Sequence, residues 1–376
     1  MAQLPCNILM AQMSMDIGGA ETHILELSAE LVKRGYGVFV ASQGGAFVPE
    51  LEAAGVRHFQ VPLHRKNPSS LLTSYRLLKE IIQSERIELV HAHARIPGFV
   101  AGKLCRRMKI PFVTTAHWVF ETGHGLKYLT DWGQETIAVS EDIKRYLMEE
   151  YHLPEEQIVV TINGINTDRF SKDISFGEIS AELHLKKDAF RIVHISRLDQ
   201  SRADVAFLLL KAFPRIRQEI PQAELVIVGD GDVFQQVKKL AEETNRLVGE
   251  DAVKLAGART DINRFVASAD LFVGVSRAAL EAMAAEKAVV LAGNEGDMGL
   301  YRPEQESLAF ANNFTCRGAT LPTEQSVGDS VLDYYHKSEA EQRQLQRFCR
   351  ETVERHYSVA RMADDAEKAY RKVMDS

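Results

Sequence analysis

The chain is poor in everything that would staple it, thread it through a bilayer or coat it with positive charge. It has four cysteines, Cys6, Cys105, Cys316 and Cys349, and no two of them form a CxxC pair. That spacing excludes a zinc ribbon or a disulfide framework as the organising device and fits a reducing compartment. No apolar run reaches the roughly 18–20 residues of a membrane span, and no charged segment with a signal-length apolar core opens the sequence. The expected location is therefore cytoplasmic. Basic charge is not in excess either: 45 Lys and Arg face 52 Asp and Glu, a net charge of −7. Nucleic acid is thereby disfavoured as a partner, because phosphate neutralisation needs a basic surface. Low-complexity tracts and short-period repeats are absent.

What is present is alternation. Over 376 residues, 45% hydrophobic and 26% charged, short apolar runs take turns with amphipathic helical patterns. "NILMAQM", "GYGVFVAS", "HFQVPL", "IELVHAHA", "IPFVTTAHW" and "TIAVS" read as strands, and Ile24–Lys33, Ser70–Ser84, Gly98–Met108 and "EDIKRYLMEEY" as helices. Near-continuous apolar strands in a β-α-β rhythm predict a parallel sheet covered on both faces. The rhythm breaks in a Gly/Asn/Asp/Ser-rich stretch near residues 163–186. It then restarts with "FRIVHISRL", Asp204–Glu219, "AELVIVGDG", Val233–Asn245, "AVKLAGA", Asp261–Ala267, "ADLFVGVS", Ala278–Ala285 and "KAVVLAG". From Ser326 onward the chain is charged and helical. Two doubly wound α/β units in tandem are expected, with ligands beyond the carboxyl ends of their strands and the natural site in the cleft between them.

Several motifs carry chemistry. Gly18 and Gly19 stand where a strand hands over to a helix. They offer either bare backbone for an anion at a helix N-terminus or only a tight turn. "SRLDQSRAD" places Arg197 at a strand end and Arg202 five residues on; they read as a pair of phosphate ligands or as surface arginines. In "GVSRAALEAMA", Ser276 is a candidate N-cap, followed by Arg277 and by Glu281 slightly more than one turn in. That carboxylate would either accept ribose hydroxyls or stabilise the helix dipole. His91 and His93 share a face of their strand, so at least one can be a buried, hydrogen-bonded core group. Metal binding would need further ligands whose convergence the sequence does not display. His117, on the next strand, is the preferred site histidine.

Together, "GGAETHILELSAELVKRGYGV", "AVSEDIKRYL…INGINTDRF", "SRLDQSR", "ELVIVGDG", "SADLFVGVSRAALEAMA" and the ending "HYSVARMADDAEKAYRKVM" resemble the family 4 retaining glycosyltransferases of the GT-B fold. The resemblance covers nearly the whole chain. It implies two Rossmann-like parallel-sheet domains with an interdomain cleft: an acceptor-side domain over residues 1–170, completed by a C-terminal helix at 358–376, and a nucleotide-sugar-binding domain over 171–357. Gly18 and Gly19 match the family's glycine loop beside donor phosphate and acceptor, and His117 its histidine at the transferred sugar. Arg197 and Arg202 match the arginine and lysine of G-R-L-x-x-x-K, which hold the diphosphate; here Ser196 replaces the glycine and Arg202 the lysine. Glu281 matches the second glutamate of E-x7-E, and "GARTDI" the nucleobase loop, with backbone groups near Ala258 and Arg259. Glu21 and His93 are placed on the acceptor side. One departure stands out. The first glutamate of E-x7-E falls on Val273, so Ser276, Arg277 and the segment Gly293–Gly299 with Glu295 are the nearest replacements for its grip on the sugar.

The implied reaction moves a sugar from a nucleoside-diphosphate donor, with UDP the expected carrier, to a saccharide or lipid-linked acceptor in glycan biosynthesis. The resemblance implies retention. The two arginines and helix amides would stabilise the leaving phosphate, and no DxD-like cluster stands in a site context, so neither metal nor cofactor is expected. The alternatives are a GT-B-like nucleotide-sugar epimerase or phosphorylase and a non-catalytic nucleotide-sugar-binding protein. Basic, apolar stretches at His64–Leu72 and Lys103–Lys109 leave open peripheral membrane contact through the N-terminal domain.

Overall fold

The computed structural model describes residues 5–375 apart from 121, 124, 126, 128 and 129. The chain divides into two compact units, one made of residues up to Gly164 together with those from Val359 onward, the other running Ile165–Ser358.

Unit 1 follows the rhythm of its sequence: β1 (Asn7–Ala11), α1 (Gly19–Lys33), β2 (Gly37–Ser42), α2 (Val48–Ala53), β3 (Arg57–Gln60), α3 (Pro68–Ser84), β4 (Leu89–Ala92), α4 (Arg95–Met108), β5 (Phe112–Ala116), β6 (Glu135–Ala138), α5 (Glu141–Tyr151) and β7 (Ile158–Val160). The seven strands among the described residues pair in the order β3-β2-β1-β4-β5-β6-β7, and every pairing is parallel. Strand order reverses at β1/β4, which is where doubly wound sheets bind ligands. The short edge strand β7 lies just before the irregular stretch and does not announce itself in the sequence. Three residues are too few to show a period, and it is the pairing with β6 that makes them a strand.

Unit 2 repeats the plan: α6 (Gly177–Leu183), β8 (Phe190–Ile195), α7 (Asp204–Glu219), β9 (Ala223–Val228), α8 (Phe234–Val248), β10 (Val253–Leu255), α9 (Ile262–Ser268), β11 (Leu271–Gly274), α10 (Ser276–Ala284), β12 (Ala288–Gly293), β13 (Gly296–Leu300), α11 (Glu306–Ala311), α12 (Glu324–Tyr335) and α13 (Glu339–His356). Its sheet runs β10-β9-β8-β11-β12-β13, so the order reverses at β8/β11. The final strand is antiparallel to β12. The segment Gly293–Gly299 is thus the turn and second arm of a hairpin, too glycine-rich to announce a strand.

The last helix, α14 (Val359–Met374), returns to unit 1. Its Met362, Ala366 and Tyr370 join Ile8 and Met10 of β1 and Ile24 and Leu27 of α1 in one buried cluster. Burying such side chains contributes about 1.5–3 kcal/mol each, which explains why α14 stays with this sheet. No described helix is long and apolar enough to cross a membrane.

Candidate functional site

In unit 2 the switch point is built by loops that fasten one another. After β8 the chain turns through Ser196–Ala203. Ser196 N–H donates to the Val228 carbonyl at 3.1 Å and Leu198 N–H to that of Asp230 at 3.0 Å. Val233 N–H donates back to the Leu198 carbonyl at 3.0 Å, and Gly229 N–H reaches the Gly257 carbonyl at 2.8 Å. This clamp closes only because residues 229 and 231 lack side chains. A Cβ on Gly229, whose φ is +143°, would stand 1.8 Å from the Ser196 carbonyl oxygen, and one on Gly231 would stand 2.4 Å from that of Leu198. Arg197 is exposed between two residues whose amides are anchored.

Arg202 is also exposed, on the same loop, with Nε 3.8 Å from Asp199 Oδ2. Against the cost of its own desolvation, hydrogen bonds from Ser201 and the charges of Arg202 and Arg197 hold the Asp199 carboxyl below its ordinary range. Asn294, after β12, ties in by donating to the Ser201 carbonyl at 2.5 Å. Both guanidiniums therefore stand at the carboxyl end of the central strand, on a loop held by the β9 and β12 loops.

Beneath that loop, His194 donates from Nδ1 to the carbonyl of Val273 at 2.8 Å, and Ser196 Oγ lies 2.9 Å from its Nε2. With Nδ1 carrying the proton, Nε2 accepts from the serine hydroxyl. Complete burial, only partly offset by the bond to Val273, lowers the His194 pKa to about 4, so the ring is neutral. Val273, at the position of the missing glutamate, is fully buried in β11.

The start of α10 departs from expectation. The helix is capped by Val275, and no side chain bonds to the cap. Ser276 is not the N-cap: it is the first helical residue, at a left-handed φ of +55°, with its N–H given to the Phe314 carbonyl at 2.7 Å. The first amide of this helix is thus spent inside the fold. Arg277 Nε lies 2.9 Å from Glu281 Oε1, and the carboxylate is buried, only 3% exposed. Arg259 is paired with Asp261 and Glu182, and these bonds raise its pKa; the neighbouring Ala258 lies in the same loop after β10. Glu295 pairs with Arg317 at 3.1 Å.

In unit 1, Gly18 is the N-cap of α1, at φ −175° and ψ 163°, an extended conformation open to any residue. A Cβ on Gly19 would meet nothing within 4 Å. Packing does not ask for glycine at 19, and conformation does not ask for it at 18. Glu21, in the first turn of α1, accepts from Gln12 Nε2 at 3.1 Å.

His91 is a core residue: Nδ1 lies 2.9 Å from the Tyr370 hydroxyl and Nε2 2.7 Å from Thr115 Oγ1. His93, just past β4, has Nδ1 3.1 Å from Nε2 of His117, just past β5. The sequence did not single out the third member of this group. His23 lies in α1 on the buried stripe with Leu27 and Leu31, its ring centroid 4.8 Å from that of His117. Its only signal was a histidine at i, i+4, i+8 spacing with two leucines. Burial, together with the neighbouring rings of His91, His117 and His23, holds His93 far below the ordinary histidine range.

Two family models cover most of the chain: Glycosyltransferase Family 4 over residues 17–169 and Glycosyl transferases group 1 over residues 189–315. The chain is thus a GT-B enzyme of two Rossmann-like parallel-sheet domains, and it belongs to the family 4, group 1 glycosyltransferases. A UDP-Gal:α-D-GlcNAc-diphosphoundecaprenol α-1,3-galactosyltransferase of Escherichia coli is 26% identical over 283 residues, 69% of this chain and 72% of that protein. Among solved structures, a glycosyltransferase of Rickettsia africae aligns at TM-score 0.75 and 19% identity, over 99% of each chain. HepE of Anabaena, in complex with UDP and glucose, aligns at TM-score 0.70 and 18% identity, over 98% of this chain and 100% of that one.

Proposed function

We propose that the enzyme transfers a hexose from a nucleoside-diphosphate sugar, with UDP as carrier, to a saccharide or lipid-linked acceptor in glycan assembly, with retention of configuration. The observation that carries this reading is the clamped β8 loop. It presents Arg197 and Arg202 on a backbone fixed by the loops after β9 and β12, and donors held in advance stabilise charge on a leaving diphosphate without reorganising. In this reading the arginines do the electrostatic work, and no metal ion takes part. Glu281, steadied by Arg277, takes the ribose, and backbone beside Ala258 and Arg259 takes the base. Ser276 and Arg277 stand in for the missing glutamate at the sugar.

Unit 1 has the acceptor side. Glycine at 19, which the packing does not require, gives a ligand access with Gly18 to the amides of α1, while His117 and Glu21 line the same strand ends and His93 supports His117. The UDP donor named for the Escherichia coli relative and the UDP and glucose named for HepE support the choice of carrier. Lys103, Arg106, Arg107 and Lys109 are exposed along and just after α4, which supports peripheral contact with an anionic membrane that carries the acceptor. Co-sedimentation with anionic liposomes should then fall at high salt.

The test is a melting-temperature panel of nucleotides and nucleotide sugars, then NMR of the glycoside formed. A ligand at about 100 times its Kd stabilises the native state by about 2.7 kcal/mol, so UDP and one UDP-sugar should stand out. A product of inverted configuration, or a new nucleotide sugar formed without acceptor, would overturn the proposal.

A further inference from the structure

We propose that His23, His93 and His117 form a binding site for a borderline divalent transition metal of the zinc class, with three imidazole ligands and an open fourth position. One ligand nitrogen from each residue lies within 4.8 Å of the other two. In a tetrahedral zinc site, bond lengths of about 2.0–2.1 Å put neighbouring nitrogens about 3.3 Å apart. His93 Nδ1 and His117 Nε2 already stand at 3.1 Å. His23 needs a side-chain adjustment of at most roughly 1.5 Å to complete that triangle.

Three features separate this group from a chance cluster. His23 Nδ1 lies 3.2 Å from the side-chain oxygen of Asn163. A ring that donates there turns its Nε2 lone pair outward, as an outer partner does for a metal-bound histidine. The Nε2 of His93 is buried with no hydrogen-bond partner among the described residues, so the one polar contact holding that ring is the one inside the cluster. His91, 4.0 Å away centroid to centroid, shows the opposite arrangement: both its nitrogens are spent on Tyr370 and Thr115, and it has nothing to offer an ion.

His23 and His93 are both buried, while His117 is half-buried and leaves an approach for the ion. Three nitrogens without a thiolate or carboxylate select zinc, cobalt or nickel over magnesium or calcium. The open position would take water or a substrate hydroxyl. This site is separate from the transfer chemistry proposed above, which uses no ion. It rests on that reading in one respect only: an ion that captures His117 removes it from the sugar, and zinc is then a reversible inhibitor.

The experiment is calorimetric titration of the chelator-stripped full chain with Zn2+, alongside Co2+ absorption spectra as a report on geometry. One-site saturation with a tetrahedral cobalt spectrum is expected. His117→Gln, at a half-buried position the fold tolerates, should abolish both. Asn163→Ala should weaken binding about 10–100-fold, and His152→Asn, at an exposed position, should leave it unchanged. Absence of saturable binding, or binding that survives both His117→Gln and His23→Gln in chains that melt normally, overturns the site. Saturating Zn2+ should suppress turnover, and a chelator should restore it. Tight binding with unaltered turnover would uphold the site while overturning the placement of His117 at the substrate.

Discussion

Replacing Gly229 with alanine should disable the enzyme without touching any residue that meets substrate. The backbone there has φ +143°, a region that side chains other than glycine's avoid, at a cost of order 1–3 kcal/mol. The larger effect is steric. The added methyl would sit 1.8 Å from the Ser196 carbonyl oxygen, so that carbonyl must retreat by roughly 1.5 Å before ordinary contact is restored. Ser196 immediately precedes Arg197, and the whole loop hangs on the bonds made by Ser196 and Leu198.

A misplacement of about 1 Å at a catalytic group costs on the order of 100-fold in rate, or about 2.7 kcal/mol of transition-state stabilisation. Turnover with saturating donor, UDP affinity by calorimetry and the melting curve should be measured on one preparation. Gly249→Ala is the control. It too has positive φ, +71°, but a Cβ there meets nothing within 4 Å, so it should lose a little stability and no activity. If Gly229→Ala kept turnover and UDP affinity within about twofold, or lost them only in proportion to unfolded protein, the clamp would not position the arginines.

Arg197→Ala should lower turnover at least about 100-fold and, the side chain being exposed, move stability by no more than about 0.5 kcal/mol; near-normal turnover with saturating donor would refute its role. Gly19→Ala adds a methyl into open space with no forbidden φ, so the melting temperature should hold or rise while activity falls; unchanged kinetics would show that no ligand approaches there. Arg277→Ala takes an ion-pair partner from the buried Glu281 carboxylate and should cost about 3 kcal/mol, read by urea titration, whereas Arg277→Lys should recover part of that loss. His194 is neutral in the fold, with its pKa lowered to about 4, and takes up a proton near pH 6.5 when unfolded. The unfolded state therefore binds more protons as pH falls through 6.5, and stability declines from there toward pH 4 by about 3 kcal/mol in all. His194→Gln should flatten that part of the profile.

Much of the scaffold was legible because apolar runs and helical periods are local. α7 appears at Asp204–Glu219, where its pattern placed it, and the carboxyl ends of β1, β4, β5 and β8 carry the glycines, histidines and arginines read from those strands. The unread elements lacked a local signal: β7 is three residues long, and β13 contains two glycines in five. Ser276 misled because serine before a strong helix former usually caps, whereas here Phe314, distant in sequence, takes its amide. His23 carries no local signal, because one polar residue in an apolar stripe says nothing of the rings it meets across the fold.

The sequence by itself determined the two α/β units and the family, since each depends on residue order within a few turns of chain. Only the tertiary structure decided that Gly229 and Gly231 are obligatory while Gly19 is not, that Glu281 is held by Arg277, and that three histidines from α1 and from the ends of β4 and β5 converge. Those facts depend on distances between segments far apart in the chain. No periodicity records such distances, because they are set by how parallel strands stack in the order 3-2-1-4 rather than by the order in which they are written.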